Sequence, residues 1–312
     1  MAKPFQQRYF VDDKCSFGVM ISMKILGVGI ATLDIINRVE RYPEEDGEVR
    51  VLSQRRCRGG NATNTLTVLS QLGHECAWAG VLPQDTDAAF VEEMLRRQRI
   101  DLRHVHLLTS GRLPTSYITL SEESGSRTIL HLRDLPGYRA EWFLEEVDPD
   151  EFQWIHFEGR DTEELEKMLL TLSAVEGLQV SVEIEKPRPG IEALFHLPQV
   201  LLFSRHYAQS TGHANAESLL RSIARQLGER RPLLFCAWGD QGAWAFDRQG
   251  ELLHAPAIRI PRVIDTVAAG DVFNAAVIHA LSQAAAPLQA LQQGCRLAGT
   301  SCGMVGVEDI VF

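Results

Sequence analysis

The chain has 312 residues, 45% of them hydrophobic and 23% charged, which suits a folded protein with a large core. Its formal net charge is −10, from 41 acids and 31 bases, with no Lys/Arg block, which argues against nucleic-acid binding. No apolar run reaches the roughly 20 residues of a membrane span, so no membrane association is expected.

Six cysteines stand at 15, 57, 76, 236, 295 and 302, with no CxxC pair, and no HExxH motif occurs among the ten histidines. Zinc is not expected, and scattered thiols suit a reducing, cytoplasmic setting. Cys295 and Cys302 are two helical turns apart and read as small buried apolar residues.

Residues 1–22 show no clean period and read as a poorly ordered extension, with the main domain spanning 23–312. Lys24 to Gly29 is an apolar strand of the kind buried in a parallel sheet. Residues 35–57 alternate, punctuated by Pro43 and Gly47, and predict an antiparallel ribbon. Gly59-Gly60-Asn61 opens a helix closed by Gly73; Cys76 to Val81 is a strand and Asp85 to Gln98 an amphipathic helix. Residues 113–132 predict a second hairpin around Glu123-Ser124-Gly125.

From Phe152 the pattern is strand then helix: strands at 154–158, 178–185, 200–204 and 233–237, helices at 162–175, 190–196 and 215–228, and a hairpin over 243–255. This rhythm predicts an α/β fold with a doubly wound, mostly parallel sheet. The two hairpin regions, about 35–57 and 113–132, predict a separate small sheet inserted as a lid. A β-branched run, Ile260 to Ile264, is then expected to be a strand leading into Asp265-Thr266-Val267-Ala268-Ala269-Gly270-Asp271 and a small-residue helix.

That last joint carries the strongest chemistry. A helix N-terminus leaves backbone N–H groups without intrahelical partners and favours anions. Small residues let a ligand approach them. Asp271 sits where a phosphate would lie, and reads either as a helix cap or as a base that takes the proton of a nucleophile attacking that phosphate. Upstream, Gly60, Asn61 and Asn64 offer close backbone approach and two amides on one helical face, suited to vicinal sugar hydroxyls or to capping. Asp34, past the first strand, suits bidentate bonding to a polyol or a turn. Trp238, Asp240 and Gly242, after the 233–237 strand, suit a purine pocket or a simple turn, and Arg127 is a candidate partner for a phosphate or hydroxyl or an ordinary solvated arginine.

Several readings are excluded or weak. There is no GxxxxGK[ST] and no HRD–DFG pair. Gly27-Val28-Gly29 begins a dinucleotide fingerprint, but Thr32 stands where the third glycine should be. Asn61-Ala62-Thr63 is a formal glycosylation sequon without meaning in a cytosolic chain.

Taken in order, the GxGxxxxD element (Gly27 to Asp34), the Gly-Gly-Asn helix opening and the late DTxGAGD-like segment resemble the ribokinase-type (PfkB) carbohydrate kinases over nearly the whole chain from Met23. Arg58-Gly59-Gly60-Asn61-Ala62, Glu158-Gly159-Arg160, Ser181-Val182-Glu183 and Glu185-Lys186-Pro187-Arg188 are similar to the ketohexokinase branch of that family. The resemblance implies a ribokinase-like fold and transfer of the ATP γ-phosphate to the 1-hydroxyl of a ketohexose such as D-fructose. Asp271 would be the base, with Ala268, Ala269 and Gly270 as anion hole. Asp34, Gly60, Asn61 and Asn64 would hold the sugar, with Arg127 nearby, and Asp46 would reach a neighbouring subunit's site in a homodimer joined through the lids. Trp238, Asp240, Gly242 and Cys295 would line the nucleotide, Mg²⁺ would travel with ATP, and K⁺ is a further expected ion.

This chain departs from the family pattern twice. Ala268 replaces a glycine, which costs about 1–3 kcal/mol of strain if the position needs positive φ. Ser204-Arg205-His206-Tyr207 stands where an NxxE element linked to metal-bound water is expected, so no metal-ligating side chain is assigned. A kinase for another sugar or nucleoside, and a catalytically silent sugar-binding regulator, stand as the alternatives.

Overall fold

The computed structural model describes residues 21–124 and 126–311. The expected extension over 1–22 therefore lies, except for its last two positions, outside the described residues, as does Gly125 of the predicted turn.

The chain begins with β1 (Lys24–Val28), leaves for β2 (Thr32–Val39) and β3 (Ser53–Gly59), and returns through α1 (Asn61–Gln71) to β4 (Glu75–Pro83). It continues through α2 (Thr86–Arg97) and β5 (Asp101–Leu108), then leaves again for β6 (Thr115–Ser121) and β7 (Arg127–Leu132). Next come α3 (Ala140–Glu146), β8 (Trp154–Glu158), α4 (Thr162–Leu172), β9 (Gln179–Ile184) and β10 (Val200–Phe203). The remainder is α5 (Arg205–Ser210), α6 (Ala216–Leu227), β11 (Leu233–Ala237), β12 (Ala243–Phe246), β13 (Leu252–Ala255), α7 (Ala269–Ser282) and α8 (Pro287–Ser301).

Nine strands form the large sheet in the order β13-β12-β11-β10-β9-β8-β1-β4-β5. All pair in parallel from β11 to β5, and only β12 and β13 are antiparallel. The two excursions meet as a second, four-stranded sheet, β3-β2-β6-β7, in which β2 and β6 pair in parallel.

Helices cover both faces of the large sheet. Leu66 of α1, Val91 of α2, Val272 of α7 and Ala290 of α8 share one buried cluster with Ile25 and Trp78. Phe143 of α3, Leu165 of α4 and Leu219 of α6 share the other with Leu26 and Phe157. Burial on both faces is why these strands read as unbroken apolar runs. Gly294 lets α8 sit close to α7: a Cβ there would fall 2.6 Å from the Phe273 ring.

Three expectations need correction. Ile260–Ile264 is not a strand: Pro261 has no N–H to give a ladder, and Ile264 instead donates to the Cys302 carbonyl at 2.7 Å. The first ribbon does not alternate through Val49 and Val51, because residues 40–52 are irregular. Pro43 breaks the ladder, Asp46 turns at φ 61°, and both valines are exposed. The ribbon also starts before residue 35: Asp34 lies past β1, as expected, but inside β2 and not in a turn. β5, α3, α5 and α8 were not expected from the pattern.

Candidate active site

The joint before α7 is a left-handed turn. Ala268 is the N-cap residue at φ 63°, ψ 8°, and it offers no side-chain cap. The turn aims the first-turn amides outward, and those of Gly270 and Asp271 have no acceptor among the described residues. Nothing lies within 4 Å of where a Gly270 Cβ would be, so the approach is open. The Asp271 carboxylate does not cap the helix. It accepts a 2.7 Å hydrogen bond from Asn64 Nδ2, while Thr65 Oγ1 donates to its backbone carbonyl at 3.3 Å. The cap alternative is thereby removed.

Asn64 is held from behind. The buried Arg58 guanidinium donates 2.8 Å bonds to Asn64 Oδ1 and Thr63 Oγ1, and a 2.9 Å bond to Thr67 Oγ1. Asn64 therefore has one orientation, amide nitrogen toward Asp271. Asp34 borders the same cleft as Asn64 and Ala268. Its Oδ1 accepts from Thr32 Oγ1 at 2.8 Å, and burial raises its pKa against the pull of Thr32 and Ser116. Two glycines make the cleft possible. A Cβ on Gly59 would land 2.2 Å from Asp34 Oδ2, and Gly60, at φ 109°, passes so close to the Ile30 carbonyl that a Cβ would sit 2.1 Å from it.

Two acids stand at the ends of neighbouring strands of the large sheet. Glu158, at the end of β8, accepts from the Ala62 amide at 2.8 Å and pairs with Arg160. Glu183, one strand over on β9, accepts from Asn61 Nδ2 at 3.0 Å and Asn274 Nδ2 at 3.1 Å. Desolvation, then Glu158 and Glu185, push the Glu183 carboxyl up to about 8. Desolvation first and Glu183 second raise Asp271 well above the usual carboxylate range, and the Asn64 hydrogen bond pulls it back down. A desolvated carboxylate whose affinity for a proton is raised is suited to general-base work.

The expected nucleotide side lies past β11 and converges on Ala255. Cys295 Sγ lies 3.5 Å from the Ala255 carbonyl. Gly242, at φ 90°, approaches that carbonyl so closely that a Cβ would be 2.1 Å away. Trp238 is buried with Arg205 over its ring at 6.0 Å, and its amide donates to the Gly242 carbonyl at 2.8 Å. Asp240 is exposed in the 3-10 turn between them.

Two expected sugar contacts are not brought into the cleft of this chain. Arg127 begins β7 opposite Leu120, whereas Asp34 stands opposite Ser116, four register steps away along β6. Asp46 is exposed in the 40–52 connection at that same far end. Four residues without an assigned role belong to the site: Arg58, Glu158, Glu183 and Asn274. An acid at the carboxyl end of a parallel strand was the available signal for Glu158 and Glu183. Nothing local marks Arg58 as buried, and Asn274 lay hidden in an alanine-rich helix.

A model of the pfkB family carbohydrate kinases matches residues 23–310. Mouse (Mus musculus) ketohexokinase is 42% identical over 300 residues, covering 94% of this chain and all of that protein. Arabidopsis thaliana ribokinase, solved with ribose and ATP, superposes with a TM-score of 0.75 at 16% identity, covering 93% of this chain and 96% of that one. Methanocaldococcus jannaschii nucleoside kinase gives 0.74 at 21%, covering 92% and 94%. At such low identity these structures speak for the shared ribokinase-like fold alone. The family match and the long alignment to the mouse enzyme establish that the protein belongs to the pfkB family of carbohydrate kinases.

Proposed function

We propose that this chain transfers the γ-phosphoryl group of ATP to the 1-hydroxyl of a ketohexose such as D-fructose. The hydroxyl oxygen bonds to the γ-phosphorus, the bond to the bridging oxygen of ADP breaks, and Asp271 takes the hydroxyl proton. The observation that carries this reading is the placement of a buried carboxylate beside open first-turn amides and opposite Asn64. Phosphoryl transfer asks for positioning and charge neutralisation, which this turn supplies. Ala268, Ala269 and Gly270 form the anion hole, and Asp34, Gly60, Asn61 and Asn64 hold the sugar. Trp238, Asp240, Gly242 and Cys295 line the nucleotide. The mouse relative's name supports the ketohexose.

Mg²⁺ neutralises phosphate charge when it enters with ATP. Among the described residues no group of three or more His, Cys, Asp or Glu could hold a metal. Glu158 and Glu183 already have their carboxylates engaged. This fits an ion whose ligands are mostly phosphates and waters. A K⁺ requirement belongs to the same reading, with no ligands assigned.

The small sheet acts as the lid, and two copies pair through it. Tyr117, Leu130 and Leu132 present exposed apolar surface on one of its faces, which favours association. Across such a contact the partner's Asp46 reaches the sugar site, and Arg127 serves from the same end of the sheet. A cytoplasmic setting suits the five free cysteines among the described residues.

The test is turnover of a sugar panel with Mg-ATP and K⁺, followed by ADP release and phosphosugar formation. Rapid phosphorylation of ribose or adenosine with none of fructose would overturn the substrate. ATP binding without any phosphorylation would leave a silent binder.

A further inference from the structure

The small sheet carries a polar row that the assigned sugar contacts do not use. Asp34 on β2 stands opposite Ser116 on β6, and Ser116 stands opposite His131 on β7, so the three side chains share one face of three neighbouring strands. Asp34 turns that face to the cleft beside Asn64 and Ala268. The flanking Tyr117, Leu130 and Leu132 lie on the other face and are exposed. Strands about 4.8 Å apart put His131 about 10 Å from Asp34, backbone to backbone. The sheet order β3-β2-β6-β7 gives the row a direction. Arg58 on β3 holds Asn64, and Asn64 holds Asp271, so the row runs from the phosphoryl end of the cleft at β3 to the far end at β7.

Hydrogen-bond donation also runs one way along the row. Ser116 pulls the Asp34 pKa down, as a hydroxyl that donates to a carboxylate does. Its one proton is therefore spent on Asp34, and its oxygen accepts from His131 Nδ1 at 3.2 Å. In a neutral imidazole that leaves Nε2 as an acceptor. Burial first, then Arg160, lower the His131 pKa and keep the ring neutral; Arg133 and Lys186 act the same way, and Asp34 opposes them. Arg160 and Lys186 follow β8 and β9, so these cations face His131 from the carboxyl edge of the large sheet.

We propose that His131 is a specificity-determining residue: its free Nε2 accepts a hydrogen bond from the hydroxyl at the end of the sugar opposite the 1-hydroxyl. The inference rests on the kinase reading above. With the 1-hydroxyl at Asp271 and the middle of the sugar at Asp34, a ketohexose places its 6-hydroxyl at the β7 end of the row. A ketopentose has no hydroxyl to place there. A polar group in the site that is left without its partner hydroxyl discriminates against the wrong sugar, which an apolar wall does weakly.

The test pairs two sugars, D-fructose and 6-deoxy-D-fructose, with wild type, His131→Phe and His131→Gln. His131→Phe keeps a flat ring and removes both nitrogens; His131→Gln returns an amide oxygen near the position of Nε2. The ratio of kcat/KM for fructose to that for the deoxy sugar is expected to fall about 2- to 10-fold from wild type to His131→Phe, the range of one neutral hydrogen bond. The fall comes from a higher KM for fructose, with kcat close to wild type, because Asp271 is untouched. His131→Gln recovers part of the ratio. A merely structural loss, or one acting through Ser116 and Asp34, weakens both sugars equally, so an unchanged ratio in His131→Phe overturns the proposal. Calorimetric titration with the same two sugars reads the contact without phosphoryl transfer: the ratio of the two dissociation constants should change in the same way. A wild type that phosphorylates no sugar would defeat the kinase reading, while the two dissociation constants would still judge the His131 contact.

Discussion

Asn64 and Asp271, 207 positions apart in sequence, meet across a 2.7 Å hydrogen bond that ties helix α1 to helix α7. The bond joins the residue set expected to hold the sugar to the residue expected to take its proton. It also works against burial, which drives the Asp271 carboxyl toward its protonated form. Removing it should therefore raise the Asp271 pKa further. A base must be deprotonated to act, so activity falls as pH drops through that pKa. In Asn64→Ala the acid limb of kcat/KM should move to higher pH. An unmoved limb would show that Asp271 does not set it.

Asp271→Asn keeps the shape of the side chain and loses its basicity. Turnover should fall at least about 10²-fold, with nucleotide affinity close to wild type. Calorimetric titration with a non-hydrolysable ATP analogue, beside a turnover assay, separates the two. Near-normal turnover would remove Asp271 as the base.

Ala268 holds a left-handed conformation, at φ 63°, that an L-residue with a Cβ adopts at a cost. Ala268→Gly should relieve about 1 kcal/mol, a rise of about 2 °C in the thermal midpoint for a chain of this size. The amides stay in place, so turnover should hold. A lowered midpoint would mean that the alanine is unstrained.

Glu183 gives a pH dependence of stability. Its folded pKa, about 8, lies above the ordinary 4.5, so the native state keeps a proton that the unfolded chain releases. The associated stability is fully present below the unfolded value and is lost as pH rises through the folded one. Glu183→Gln cannot ionise. Its midpoint should match wild type near about pH 5 and exceed it by a growing margin toward about pH 9. Parallel melting curves across that range would exclude the assignment.

Leu130 is 68% exposed on β7. If two copies pair through their small sheets, light scattering should report twice the 34.9 kDa chain mass, and Leu130→Glu should reduce it to the single-chain value. Wild-type protein that scatters as one chain would exclude that pairing.

The strand-and-helix rhythm after Phe152 was readable because each parallel strand is buried on both faces and each helix on one. Asp271, Asn64 and Gly60 were readable because their residue types suit helix starts, which are local features. Arg58 and Asn274 were not: nothing in a strand pattern marks an arginine as buried beneath the helix that follows it, and Asn274 gains its role from the distant Glu183. The Ile260–Ile264 run misled because β-branched composition suggests a strand, whereas strand formation needs a neighbouring edge with free partners. Here Cys302 alone supplies the acceptor for Ile264 and Asp265.

The parallel seam between β2 and β6 also bears on how the chain folds. β3, α1, β4, α2 and β5 all lie in sequence between the two strands it joins. Closing that seam fixes a long segment at once, a costly step unless β1, β4 and β5 have already docked. The four-stranded sheet is thus a late-forming unit whose two hairpins find their register only on a scaffold already built. Excised as a peptide, either hairpin would lack the edge that gives it a partner.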